Sequence, residues 1–140
     1  MRNESPTNET IVATGGVVES KFIIPPATNA QGQQDNYVAI PRPVGVSLKH
    51  SGLIGSGAFK PSRTGARGDE LLYFKNAAAG YDKEPARIYI YKGGIWRWVG
   101  SAGNAGDDVV FKPGSGVVIR KAAKANSATA LWTNPRKYAD

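Results

Sequence analysis

Residues 87–99 read Arg-Ile-Tyr-Ile-Tyr-Lys, Gly-Gly, Ile-Trp-Arg-Trp-Val. This stretch restricts the possible folds more than any other. β-Branched and aromatic residues favour extended backbone. Two glycines between two such runs supply the positive φ that a two-residue hairpin turn needs. Strand alternation then puts Trp96 and Trp98 on one face and Arg97 on the other. The chain must contain at least one antiparallel pair, and whatever surrounds it must pack on aromatic side chains.

The same grammar recurs along the sequence. Short β-branched or apolar runs fall at 10–13, 21–24, 37–40, 44–48, 71–74, 109–112 and 117–120, each bounded by Gly, Pro, Asn or Asp. Pro113-Gly114-Ser115-Gly116 is a second turn between two runs. Residues 121–131 are ambiguous between helix and strand, because Asn126-Ser127 interrupts an Ala/Lys segment. With 17 Gly and 9 Pro and no long helical period, the pattern predicts an all-β fold. The form expected is an antiparallel β-sandwich or barrel of short strands with extended terminal arms. No internal repeat emerges.

A length of 140 residues suits one domain. The divisions expected are a polar N-terminal arm at 1–9, a single β domain at 10–132 and a polar C-terminal arm at 133–140. Within the domain, residues 49–68 hold several glycines and Pro61 with no strand signal, and are expected to form a long, exposed, basic loop.

The chain has no Cys, which removes disulfides, zinc–thiolate sites and cysteine nucleophiles. No apolar run approaches the ~20 residues that span a bilayer. The N-terminus lacks the apolar core of a signal peptide. The location expected is a virion, or the cytoplasm as a product without signal peptide, with the cell surface as the alternative.

The net charge is +7, and its placement says more than its size. Residues 49–67 carry Lys49, Lys60, Arg63 and Arg67 with no acid, and residues 112–139 carry Lys112, Arg120, Lys121, Lys124, Arg136 and Lys137 with no acid. Locally uncompensated charge points to an anionic neighbour such as nucleic acid, an acidic glycan or an acidic protein. It equally describes a solvated surface that keeps a protein soluble. The hairpin adds Arg87, Arg97, Trp96 and Trp98. An exposed aromatic and guanidinium face can stack bases or sugars; a buried one is core or interface. Lys49, Lys60, Arg63, Arg67, Arg87, Trp96, Arg97, Trp98, Arg120, Lys121, Lys124, Arg136 and Lys137 are thus the candidate interface or anion-binding residues.

Reactive constellations are sparse. His50 is the single histidine, so a Ser–His or His–metal site would rest on it alone. Residues 52–60 have a glycine-rich look but lack the Gly-Lys-Ser/Thr ending of a phosphate loop. Asp69/Glu70, Asp82/Glu84 and Asp107/Asp108 are acid pairs, and acid chemistry needs two of them across a cleft. Arg67-Gly68-Asp69 matches an adhesion tripeptide, and equally ordinary turn chemistry before a strand. No enzyme activity, cofactor or metal is expected.

Four segments carry a resemblance: Asp35 to Pro43, Gly68-Asp-Glu-Leu-Leu72, Gly94-Ile-Trp96-Arg97-Trp-Val-Gly100, and Pro113-Gly-Ser-Gly-Val-Val-Ile-Arg120. Over about residues 35–132 the chain resembles a poorly characterised family of exported, β-rich bacterial surface proteins. The likeness implies turns and strands and no activity. The chain departs from it in lacking an export signal and a C-terminal anchor, and in a short middle segment.

These features lead to an expectation of a non-enzymatic structural subunit of a multi-subunit assembly. A virion component is the first form of it: a phage capsid, decoration or tail protein that meets copies of itself or other structural subunits. The alternatives are an anion-binding module for nucleic acid or acidic glycan, and an exported cell-surface or filament protein.

Overall fold

The computed structural model describes residues 20–39, 42–75, 83–123 and 130–135. Among the described residues nine short strands appear in this order: β1 (Phe22–Ile24), β2 (Gln34–Ala39), β3 (Val46–Ser47), β4 (Glu70–Tyr73), β5 (Arg87–Lys92), β6 (Ile95–Trp98), β7 (Val109–Phe111), β8 (Gly116–Lys121) and β9 (Trp132–Asn134). One 3₁₀ turn at Leu48–His50 is the sole helical element among the described residues.

The strands form a five-stranded sheet ordered β2-β8-β4-β5-β6 and two small two-stranded sheets, β1-β9 and β3-β7. Every strand pair is antiparallel. The fold is therefore all-β and antiparallel, with the layering of a sandwich of short strands. The expected hairpin is present: Tyr89 lies opposite Trp98 and Tyr91 opposite Trp96, with Gly93 and Gly94 at φ +63° and +81° in the turn. An L residue rarely adopts either angle, so these two positions require glycine.

One face of the large sheet points into the core. It supplies Val38 from β2, Val117 and Ile119 from β8, Leu71 from β4, Tyr89 from β5 and Trp96 from β6. The opposing layer supplies Val46, Leu48, Leu53, Phe59, Val110, Phe111 and Trp132. Phe59 joins the layers, its ring 4.9 Å from that of Trp96 between centroids, and within the opposing layer Phe111 lies 5.4 Å from Trp132. Such tilted pairs add to the burial of area alone. Buried Trp132 donates its indole N–H to the Ser51 carbonyl at 2.7 Å, which satisfies its polar end.

Two expectations need correction. Residues 49–68 carry no strand and are exposed at 49–50, 60–61 and throughout 63–67, but they are not exposed along their whole length. Ser51, Leu53, Ala58, Phe59, Ser62 and Gly68 are buried, and Leu53 and Phe59 fill the space a second large sheet would occupy. Backbone bonds fix the segment, including Phe59 N–H to Leu53 O at 3.2 Å and Ser62 N–H to Tyr91 O at 2.7 Å. The C-terminal arm does not begin at 133 either. Thr133 and Asn134 pair with Ile23 and Phe22 in the β1-β9 sheet, and Asn134 is buried. Arg42 explains why: its Nε donates to Asn134 Oδ1 at 3.1 Å and its Nη2 to the Asn134 carbonyl at 2.9 Å, anchoring the tail. The run at 10–13, the N-terminal arm, residues 124–129 of the ambiguous segment, and residues 136–140 lie outside the described residues.

Candidate interaction surface

The basic blocks that look uncompensated in sequence are paired in part in space. Lys49 meets Asp107, Arg67 meets Glu70 at 3.0 Å, and Lys121 meets Asp69. Arg120 grips Asp35 with both prongs of its guanidinium, at 2.7 and 2.8 Å. This fork holds the Asp35 carboxyl below its usual pKa, chiefly through the hydrogen bonds. Arg87 bonds Asp108 at 2.9 Å and lies over the Trp98 ring, 4.5 Å from its centroid. Lys60, Arg63 and Lys112 are exposed and make no ion pair among the described residues. Lys124, Arg136 and Lys137 lie outside the described residues.

The hairpin aromatics are not a free stacking platform. Trp96 is buried between Phe59 and Tyr91, and Trp98 is half covered by Arg87. Arg97 projects from the opposite face of β6, half buried, with no hydrogen-bond partner for its Nε. Lys121 is correspondingly not a surface cation. Its ammonium also donates to the Ala58 carbonyl at 2.5 Å, in the interior.

The acid pairs divide in the same way. Asp69 is buried on the core side, where it accepts Lys60 N–H at 2.7 Å and Ala122 N–H at 2.9 Å in addition to Lys121. It therefore cannot present its carboxylate as part of an adhesion tripeptide. Glu70 points to the other face of the sheet. Asp108 accepts the Tyr89 hydroxyl at 2.8 Å, while Asp107 is held ionised by Lys49. Asp82 lies outside the described residues. His50 is exposed and meets Ser47 Oγ at 3.1 Å through Nδ1. It borders a cleft of about 490 Å³ with Lys49, Ile54, Tyr91, Trp96 and Asn104. No group of three or more potential metal ligands occurs among the described residues. No helix among them is long and apolar enough to cross a membrane.

The outer face of the five-stranded sheet is exposed at its β2 edge and closed toward its middle, where Glu70, Leu72 and Val118 are buried and Lys83 and Pro85 line the groove. The register sets its side chains in three rows across the strands. The first row starts charged, with Asp35, Arg120 and Glu70 on neighbouring strands in alternating sign and Arg67 reaching Glu70 from beyond, and continues by the same register to apolar Ile90 and then Arg97. The second row is apolar: Tyr37, Val118, Leu72 and Ile88, with Val99 N–H bonded to the Ile88 carbonyl at 2.9 Å to extend it. The third row starts with Ala39 opposite Gly116 and continues by the same register to Phe74 and Ala86. Tyr37 is 83% exposed, in a strand at the sheet edge. A groove of about 660 Å³ runs here between Tyr37 and Phe74, floored by Leu72, Gly116 and Val118. The sequence carried a signal for this face. Residues 71–74 and 117–119 are apolar without alternation, which means apolar side chains on both faces of their strands.

No protein-family model matches the chain, and no curated protein or solved structure matches it.

Proposed function

We propose that the chain is a non-enzymatic structural subunit of a multi-subunit assembly, of the kind that builds virions as a capsid, decoration or tail protein. One observation carries this reading: edge strand β2 displays a tyrosine 83% exposed, beside the buried Val118 of its neighbour β8. Protein–protein contacts bury large exposed aromatic side chains of this kind, and tyrosine is enriched in them. The edge strand β2 is a further pairing site that a monomer would normally blunt.

An exported cell-surface or filament protein would use the same surface, and the resemblance to β-rich bacterial surface proteins supports that version. An anion-binding role has less behind it, because Lys49, Arg67, Arg120 and Lys121 are each engaged by an acid.

Sedimentation of the native protein across a wide concentration range, with electron microscopy of the heaviest fraction, tests the proposal. Species much heavier than the 14.9 kDa chain, or a particle containing it, are expected. A monodisperse monomer at high concentration, with no associated particle in its source, would overturn it. Co-fractionation with virions or with cell envelopes separates the two versions.

A further inference from the structure

We propose that the cleft between strands β4 and β5 on one side and β7 on the other is an oxyanion site, and that its ligand is a phosphate monoester. The site uses the core-side face of the large sheet, away from edge strand β2, so it stands independently of the subunit reading.

The cleft has a volume of about 320 Å³. That is near the small end of ligand pockets, with room for a phosphate and one ring. Tyr73 and Arg87, opposite each other on β4 and β5, line it from the large sheet. Asp108 and Val109 line it from the smaller β3-β7 sheet. Three cations border the space, Lys75, Arg87 and Lys112, against the single carboxylate of Asp108. Lys75 and Lys112 are exposed and make no ion pair among the described residues. Like charges gathered around one concavity repel each other and focus an attractive field on an anion.

Arg87 is held in place before any ligand arrives. Its Nη1 donates to Asp108 at 2.9 Å and to the Tyr89 hydroxyl at 3.3 Å, and its guanidinium lies over the Trp98 ring. Its Nε and Nη2 bond no group among the described residues. In Arg120 the same two nitrogens form the fork that grips Asp35. A guanidinium edge of this kind matches two oxygens of a carboxylate or a phosphate. Arg87 therefore keeps an unused fork while its other contacts fix its position, so little entropy is lost on binding.

Charge and surface narrow the ligand. A phosphate monoester carries about −1.5 to −2 at pH 7 and three acceptor oxygens. The Arg87 fork and the two lysines can share that charge while Asp108 stays with Nη1. A carboxylate or a sulfate ester brings a single charge and leaves a cation unanswered. Val109, 48% exposed, and half-buried Tyr73 offer apolar surface to the organic part of the ester.

The test titrates the isotope-labelled full chain with phenyl phosphate and follows backbone amide NMR shifts. Saturable shifts centred on residues 87–89 and 108–112 are expected. The double variant Lys75→Gln/Lys112→Gln should bind about fivefold more weakly, from two exposed ionic contacts. Both positions are exposed, so the fold should be kept, and thermal melts check this. Lys60→Gln/Arg63→Gln removes the same charge away from the cleft and should stay within about twofold of wild type. Arg87→Lys keeps the charge and removes the fork, and should also weaken binding. Phenyl sulfate should bind at least about threefold more weakly than phenyl phosphate, having the smaller charge.

Shifts that do not saturate, or that centre elsewhere, would overturn the site. Equal losses in the two double variants would overturn it as well, since net charge alone would then explain the binding. Phenyl sulfate bound as tightly as phenyl phosphate would overturn the choice of ligand. None of these results touches the subunit reading, which sedimentation decides.

Discussion

Lys121 and Asp69, 52 residues apart in sequence, form a buried ion pair where β8 ends beside the entry to β4. The aspartate does more than neutralise the lysine. Its oxygens also accept the backbone N–H groups of Lys60 and Ala122, so one carboxylate ties three chain segments together. Removing one partner of a buried pair strands the other charge, at a typical cost of about 3–5 kcal/mol. Asp69→Ala should reach that range, because it also orphans two backbone donors. Lys121→Met should cost less, since the remaining carboxylate keeps both backbone bonds. Urea unfolding of the two variants measures the order. Equal losses would mean that the backbone bonds add nothing to the pair.

Asp35 and Arg120 make the more exposed version of the same device. Arg120 lowers the Asp35 pKa from its ordinary 3.8, mainly by hydrogen bonding. A depressed carboxyl pKa contributes stability that is complete above the unfolded value and fades as pH falls through the folded one. The window therefore lies below about pH 4. Both side chains are about a third exposed, so the contribution is about 1 kcal/mol. In dilute protein, Asp35→Asn should lower the melting temperature at pH 7 and flatten its decline below pH 4. An unchanged acid limb would assign that decline to other carboxylates.

These pairs explain how much was legible in the sequence. The hairpin at 87–98 was plain, because local residue types and a Gly-Gly turn define it without tertiary help. So were β4 and β8, read from apolar runs. The charge blocks misled for a physical reason. Counting charge in a window finds partners that are near in sequence, whereas Lys49–Asp107, Lys121–Asp69 and Arg120–Asp35 close through the fold. The segment 49–68 misled in a related way. Its glycines announce turns, and Leu53 and Phe59 are too few to show a period, yet the aromatic rings of the large sheet need them as cover. The outer sheet face was half legible. The unbroken apolar runs imply two-sided burial, but the alternating charge row exists only once β2, β8 and β4 are placed side by side.

Gly68 tests the built character of that segment. A Cβ there would run into the Lys60 carbonyl oxygen and lie 2.6 Å from Pro61 backbone atoms. Backbone cannot step aside as a flexible side chain can, so Gly68→Ala should cost about 1–3 kcal/mol, as overpacking does. At Gly55 a Cβ meets nothing within 4 Å. Gly55→Ala should stay within about 0.5 kcal/mol of wild type. Denaturant midpoints for the two variants give the comparison. A tolerant Gly68 would return the segment to the status of a loose loop.

Tyr89 offers a prediction at the opposite end of the pH scale. Burial raises its pKa above the ordinary 10.0, while its hydroxyl donates to Asp108 at 2.8 Å. The folded state thus favours the neutral phenol. Its contribution is complete below the unfolded pKa and is lost as pH rises through the folded value. Tyr89→Phe should cost about 1 kcal/mol at pH 7, the net worth of one hydrogen bond. It should also make stability fall less steeply above about pH 10. Thermal melts from pH 7 to the alkaline limit would show both effects. A variant as alkali-sensitive as wild type would place the titrating group elsewhere.

Nucleic-acid affinity decides whether the basic composition is functional. Affinity for DNA scales with the cations free to displace counterions. Lys49, Arg67, Arg87, Arg120 and Lys121 already face carboxylates, which leaves Lys60 and Arg63 of the middle block, Lys112 of the second, and Lys21 and Lys75 outside both as exposed cations without an ion pair among the described residues. A handful of such charges gives only a moderate dependence on salt and modest affinity. Fluorescence anisotropy with duplex and single-stranded DNA should find only the non-specific range, weaker than about 1 μM at physiological ionic strength. The double variant Lys60→Gln/Arg63→Gln should weaken even that. Tight binding that falls steeply with salt would instead mean that the ion pairs open on contact with phosphate, and would restore the basic blocks as the working surface.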